Sequence, residues 1–516
     1  MTEATITVRA THTVVNANPE RLESLHVPYW LGPLDHTVYP SVPINVIWIY
    51  QTSPEFSELV PISRLRNALS ILLDSYPTLT GRLSIEPDSG RRYLDRFGTG
   101  MSLLEATCDN ALTAFSRSTD GKFHIFDFPS AGDSLLGPWE GSVESAQRDP
   151  LLTVQHTRFA CGSVAVGLRI AHMMCDAGGF LQLYQDLAHL YRGLGSEVGT
   201  TPKLDIPPAI EPFLSDKIAV MSDEEREAAV KTQPQGFSLA PAVKLAVAAA
   251  DKVKAAPSIQ GTPPPPPIKG RSMRFSATEL SAIKKLATSP SGNSWVSTFS
   301  ALSAHIFQRV HKARLAHLEA EKLSASSLAT PSFLTSINYS SKLGFPPKYF
   351  PNAVITPFAE IPSSELAKEP LWRVAEVIHG MIHSTTPDQT RELCFWIAAQ
   401  PYKNRICHEF PISNASFITS GWHKYPLYSG AELDVAPVFV SPSFTLSTLV
   451  DGLAYFLQPK ESNGDIKIVM SLSEPVWDHL DRDMGFRHLE LSSQTLAAVE
   501  TFGIIYPTQN IIVSDK

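Results

Sequence analysis

His172 and Asp176 stand four residues apart in Ala171-His172-Met173-Met174-Cys175-Asp176-Ala177-Gly178, an imidazole at the end of one element and a carboxylate just before the next, an address for proton-transfer chemistry. Their flanks say how they are held. Val164, Val166, Leu168 and Ile170 fall at every second position, which predicts a strand with one buried face. Phe180, Leu183, Tyr184, Leu187, Leu190 and Tyr191 recur at three and four, the period of an amphipathic helix. His172 is therefore expected where a strand gives way to a turn, fixed by regular structure on both sides. A histidine there can also be a core residue bonded to backbone, and the pair alone is a weak signal. The surrounding elements and the Gly178-Gly179 pair favour proton-transfer chemistry.

The chain has 516 residues and 43% hydrophobic side chains, too long for one ordinary core, so two domains are expected. A net charge of -8 from 51 acidic and 43 basic residues argues against a nucleic-acid binder and leaves no polybasic membrane patch. The five cysteines, Cys108, Cys161, Cys175, Cys394 and Cys407, form no C-x-x-C pair, which argues against a disulfide framework and a zinc site and favours a reducing compartment. Residues 1–15 lack a basic stretch followed by an apolar one, and no run reaches the ~18 apolar residues that cross a bilayer. A soluble cytoplasmic protein is expected, in which the sequons at Asn338 and Asn414 carry no meaning. There is no phosphate-cradling glycine loop, no G-x-S-x-G elbow and no solenoid repeat.

A capped helix is predicted from Ser63, carrying Leu65, Ala68, Leu69 and Leu72 and ending at Tyr76-Pro77, with a strand from Gly81-Arg82-Leu83. Strands near 44–50, 151–159 and 162–171 are expected to be half-buried. Between about 200 and 270 composition changes: Pro202, Pro207, Pro208 and Pro212, a charged stretch, an Ala-rich segment from Ala242 to Ala256, then Pro263 to Pro267. That reads as an exposed linker. Regular structure restarts at Arg271 to Phe275, with Ser276 and Glu279 as a capping box and a further helix from Trp295 to about Val310. The expected organisation is an N-terminal lobe 1–215, a crossover linker 216–270 and a C-terminal lobe 271–516.

These residues resemble the BAHD acyltransferases, the coenzyme A-dependent family marked by H-x-x-x-D, and its fungal members in particular. Leu31-Gly32-Pro33-Leu34-Asp35 resembles the family's L-S-x-x-D, Tyr76 to Leu83 its Y-P-x-x-G-R-L, and Tyr349-Phe350-Pro351-Asn352 its Y-F-G-N. Thr419-Ser420-Gly421-Trp422-His423-Lys424-Tyr425-Pro426 is similar to T-S-W-x-x-x-P with one insertion, and Gly464 through Leu480 resembles the closing strand and helix. Order and spacing agree along nearly the whole chain. The resemblance implies an α/β fold with mixed sheets, two-lobed and chloramphenicol-acetyltransferase-like, with a tunnel between the lobes.

Three positions depart from the family. Ala177 replaces the glycine after the motif aspartate. Ala431-Glu432-Leu433-Asp434-Val435 stands where the family has D-F-G-W-G. In Asn338-Tyr339-Ser340-Ser341-Lys342, Ser340 occupies the place of the arginine that pairs with the motif aspartate, so either Lys342 reaches Asp176 or hydroxyl and backbone donors hold it. A buried carboxylate without partners would be costly. The expectation is a hydrogen-bonded Asp176 that orders the turn.

By resemblance, His172 is the general base that takes the acceptor's proton during direct attack on a thioester, with no acyl-enzyme and no metal. Thr419, Ser420 and Trp422 are the expected oxyanion donors, with either Thr419 or Ser420 pointing inward, and His36 and Tyr39 are expected to line the acceptor side. Acyl-CoA is the implied co-substrate, carrying acetyl or a larger acyl group such as hydroxycinnamoyl, and no residue is singled out for its phosphates. The acceptor is a hydroxyl, less often an amine, of a small specialised metabolite, and the family is usually monomeric. Two other readings compete: a condensation-type domain using carrier-bound thioesters, which usually has a second histidine where this chain has Ala171, and a non-catalytic binding relative.

Overall fold

The computed structural model describes residues 5–116, 122–195, 201–215, 221–241, 266–291, 295–445, 448–461 and 463–487. Two six-stranded mixed sheets organise them. The first runs, in spatial order, Ile6–Val14, Met101–Cys108, Leu152–Phe159, Val164–Ala171, Pro43–Tyr50 and Phe439–Ser441. Val164–Ala171 is buried along its whole length, and so is Pro43–Tyr50, whereas the alternation predicted one buried face. The second face is covered by a segment that no local pattern announces. Helices Ile62–Ser75 and Ala177–Leu194 pack together against the sheet. At Gly167 the carbonyl of Leu135 comes so close that a β-carbon would sit 2.1 Å from it.

Ile62–Ser75 keeps the predicted buried stripe Leu65, Ala68, Leu69 and Leu72, but its N-cap is Pro61, which offers no side-chain cap, instead of the serine cap expected. The capping box at Ser276 forms: Glu279 N–H donates to Ser276 Oγ at 3.2 Å and Ser276 N–H to Glu279 Oε2 at 2.8 Å. The helix expected from Trp295 spans Thr298–Ala320 and is capped by Ser297, leaving Trp295 exposed before it.

The second sheet runs Ile268–Phe275, Ile466–Ser473, Leu453–Leu457, Ser416–Gly421, Ser332–Thr335 and Phe358–Glu360. One of its faces, with Phe417, Ala454, Phe456, Ile468 and Met470, packs with Leu302, Ile306 and Val310 of the long helix. The opposite face, with Leu453, Tyr455 and Val469, joins the core of the first half. The halves are further interlocked, because Phe439–Ser441 comes from the second half yet pairs with Pro43–Tyr50. Within the stretch read as linker, helix Asp223–Lys231 buries no residue, whereas Phe237–Leu239 pairs antiparallel with Ile406–His408. Ala242 to Ala256 and Pro263 to Pro265 lie outside the described residues.

Candidate active site

The motif strand ends where the His172 N–H donates to the Val42 carbonyl at 3.0 Å, and a short 3-10 turn, His172–Met174, follows. Asp176 then caps the motif helix, accepting from Gly178 N–H at 2.8 Å and Gly179 N–H at 3.1 Å through one oxygen. The glycines have a steric reason. A β-carbon on Gly179 would lie 2.3 Å from the Phe350 carbonyl, so only glycine lets the Phe350-Pro351-Asn352 segment of the second half reach the turn.

That segment supplies the missing partner of Asp176. Its other oxygen accepts from Ala353 N–H at 3.1 Å and from Asn338 Nδ2 at 2.9 Å. Ser340, in the family's arginine position, does not touch Asp176 but donates to Asn338 Oδ1 from its hydroxyl at 2.6 Å and its N–H at 2.9 Å, which turns the Asn338 amide nitrogen toward the carboxylate. Lys342 lies over the Tyr339 ring, 4.3 Å from its centre. Of the two expectations, backbone and side-chain donors without the lysine is what the structure contains, except that the side-chain donor is an amide. Asp176 is 3% exposed, and burial pushes its carboxyl above the ordinary value while the N–H groups of Gly179, Ala353 and Gly178 oppose this.

The His172 ring is half-buried. Burial lowers its basicity; the backbone of His172 and Cys175 and the charge of Asp176 oppose that. The net direction keeps the imidazole neutral around pH 7, the form a base needs. The Nδ1 atom is sealed from solvent. The His172 carbonyl accepts from Asn352 Nδ2 at 3.1 Å, and the same amide reaches the buried Asp35.

Strand Ser416–Gly421 distributes the expected oxyanion donors over two faces. Thr419 shares the face of Phe417, is 1% exposed, and donates to the Leu334 carbonyl at 3.5 Å. It points at the second half's own helices. Ser420 lies on the opposite face, where the Trp422 indole N–H donates to its hydroxyl at 2.8 Å and Ser336 Oγ is 3.4 Å away. Trp422 belongs to the first-half core and meets Tyr455 edge-on, and the Tyr425 hydroxyl would lie 3.4 Å from a β-carbon on Gly178. Ser420 and Trp422 thus face the side on which the motif turn lies, and Thr419 does not.

His36 and Tyr39 separate. His36 is buried at 7% exposure in the turn Leu34–Thr37, which packs on His172–Met174, while Tyr39 is 40% exposed. Burial lowers the basicity of His36, and the nearby charges of Arg92, Lys403 and Arg91 lower it further. The segment in the D-F-G-W-G place still docks on the first half. Asp434 pairs with Arg64 and accepts from Val60 N–H at 2.7 Å and the Tyr191 hydroxyl at 2.9 Å, and the Ala431 carbonyl accepts from Tyr50 at 2.6 Å.

Asp35, Asn338 and Asn352 were visible in the sequence only as members of motif segments; nothing in their spacing gives their partners. Among the described residues no group of three or more His, Cys, Asp and Glu side chains could hold a metal, and no helix is long and apolar enough to cross a membrane.

The family model described as Transferase family matches residues 4–485. The chain is 24% identical over 493 residues to the hydroxycinnamoyl-CoA:5-hydroxyanthranilate N-hydroxycinnamoyltransferase of Avena sativa, covering 92% of this chain and 98% of that one. It is 26% identical over 446 residues to the (Z)-3-hexen-1-ol acetyltransferase of Arabidopsis thaliana, covering 84% of each. Among solved structures, TRI101 of F. graminearum complexed with coenzyme A and T-2 mycotoxin superposes with a TM-score of 0.63 at 18% identity, covering 90% of this chain and 99% of that one. Vinorine synthase superposes with a TM-score of 0.64 at 14% identity, covering 94% and 98%. These likenesses show the two-lobed fold.

Proposed function

Because the chain belongs to the Transferase family, we propose that it is an acyltransferase that moves an acyl group from coenzyme A to a hydroxyl, or less often an amine, of a small specialised metabolite. The half-buried, uncharged His172 at the mouth of the motif helix carries this reading. The acceptor oxygen attacks the thioester carbonyl carbon as its proton passes to His172 Nε2; the tetrahedral intermediate then collapses, the carbon–sulfur bond breaks, and the imidazolium returns the proton to the departing thiolate. No covalent enzyme intermediate is needed, because a thioester is reactive enough for direct attack. The oxyanion falls to the Ser420 hydroxyl, steadied by Trp422, and Thr419 leaves the expected set because its side chain faces the other way. Holding both substrates in one passage between the lobes supplies the orientation. The coenzyme A complex of TRI101 supports acyl-CoA as donor.

Coenzyme A release across a panel of acyl-CoA donors and alcohols tests the proposal. His172→Ala is expected to lower kcat by about 10²–10⁴-fold. Removal of the oxyanion donor in Ser420→Ala is expected to lower it by about 10²-fold, while Thr419→Val stays near wild type. Binding of acyl-CoA with no turnover for any acceptor would favour a non-catalytic relative, and turnover only with carrier-bound thioesters would favour a condensation-type enzyme.

A further inference from the structure

Two buried carboxylates meet the second half at the motif turn, and only Asp176 belongs to the motif. The other is Asp35, 2% exposed in the turn Leu34–Thr37. Its Oδ2 accepts from Gly32 N–H at 2.8 Å, and its Oδ1 accepts twice from one residue, Asn352 N–H at 3.1 Å and Asn352 Nδ2 at 3.0 Å. Asn352 Nδ2 also donates to the His172 carbonyl at 3.1 Å, so both of its hydrogens are in use. An amide turned the other way would set its oxygen against two acceptors. The observed orientation is therefore fixed even though it leaves Asn352 Oδ1 buried with no partner.

We propose that Asp35 is a positioning residue for proton transfer at His172, acting through Asn352 to hold the His172 carbonyl from the second half. The proposal rests on the reading of His172 as the base. Asp35 aims a neutral amide at the main chain of the catalytic residue, and the turn that carries it packs directly on His172–Met174. A small displacement of a catalytic group can cost about 10²-fold in rate.

The groups facing Asp35 are Arg92 from strand Arg92–Asp95, Cys175 from the motif turn, Tyr349 before Asn352 and Cys394 from helix Pro387–Ala399. Arg92 spends its hydrogen bonds on the carbonyls of Asp35 and Val38, at 3.1 and 2.5 Å. Burial outweighs the Asn352 and Gly32 hydrogen bonds and the Arg92 charge, and the Asp35 carboxyl is pushed up to about 7. Ionised, it accepts all three N–H groups. Protonated, it loses acceptor strength and the clasp loosens, so kcat falls as pH drops through about 7 while His172, with its lowered basicity, is still neutral.

The test uses the full chain with Asp35→Asn, which keeps the side chain's shape, and Asn352→Ser, which removes the amide. Kinetics across pH are paired with NMR titration of ¹³C-labelled histidine in the absence of substrate. Expected are a kcat lowered by about 10–100-fold with KM for acyl-CoA unchanged, an acid limb displaced from about 7 to lower pH in Asp35→Asn, and a shifted His172 ring signal in both variants. A wild-type kcat, acid limb and His172 signal in Asp35→Asn overturn the proposal. If the wild-type chain releases no coenzyme A from any donor, the acyltransferase reading fails, and the His172 signal alone still decides whether Asp35 positions it. If Asp35→Asn does not fold, Asn352→Ser supplies the kcat and His172-signal readings, and a wild-type kcat and His172 signal in it overturn the proposal.

Discussion

The second half grips the first at two places with opposite chemistry. At the motif turn, Asp176 is held by neutral donors alone, Asn338, Ala353, Gly178 and Gly179, and burial pushes its carboxyl up. In the segment 427–435, Asp434 travels the other way, from the second half onto the first, and pairs with the Arg64 guanidinium beside Tyr191 and Val60. The difference teaches that a buried carboxylate can be held either by converging neutral donors or by one ion pair. Among the described residues, the charge that acts on the His172 ring is the carboxylate of Asp176, which favours protonation. Away from the base, an ion pair can dock a loop without touching the chemistry.

Mutations that cross this contrast should separate stability from rate. Asp176→Asn sets an NH2 group against backbone donors and removes the charged acceptor, so stability should fall by about 3 kcal/mol in denaturant titrations, with kcat falling too. Normal stability and rate in that variant would show that Asp176 does not order the turn. Arg64→Met strands Asp434, whose side chain is 3% exposed; because that of Arg64 is 26% exposed, the loss should be about 2 kcal/mol, below the usual cost of opening a fully buried pair. Its kcat should match wild type, and a large rate defect would mean that the two grips are coupled. Ser340→Ala has the smallest expected effect, about 1 kcal/mol, since Ser340 acts on Asp176 only by orienting Asn338. A Tm shift as large as that of Asp176→Asn would make Ser340 a direct holder of the turn.

Much of the frame was legible. Period two before His172 and period three-and-four after it gave the strand and helix that flank His172, and Ser276 with Glu279 gave a helix start. The failures have separate causes. Val164–Ala171 is buried on both faces because the segment around Leu135 covers the second, and a strand's own alternation cannot report what packs on it. Ile62–Ser75 begins just after Pro61, which lies at the N-cap with no side-chain cap hydrogen bond, where the sequence predicts a serine cap. With Gly421 inserted, the motif did not say whether Thr419 or Ser420 points inward; the sheet register did, placing Thr419 with Phe417 and Ser420 with Trp422.

By itself the sequence determined the candidate reactive residues, their order and the family resemblance, because an imidazole and a carboxylate at fixed spacing, flanked by periodic apolar runs, are local properties of the chain. Only the tertiary structure decided who holds them. Asn338, Ser340, Asn352 and Ala353 reach the motif turn, and Asp35 reaches Asn352, across long stretches of chain. Hydrogen-bond partners at that separation are set by how two sheets close on each other, and no window of neighbouring residues contains that geometry.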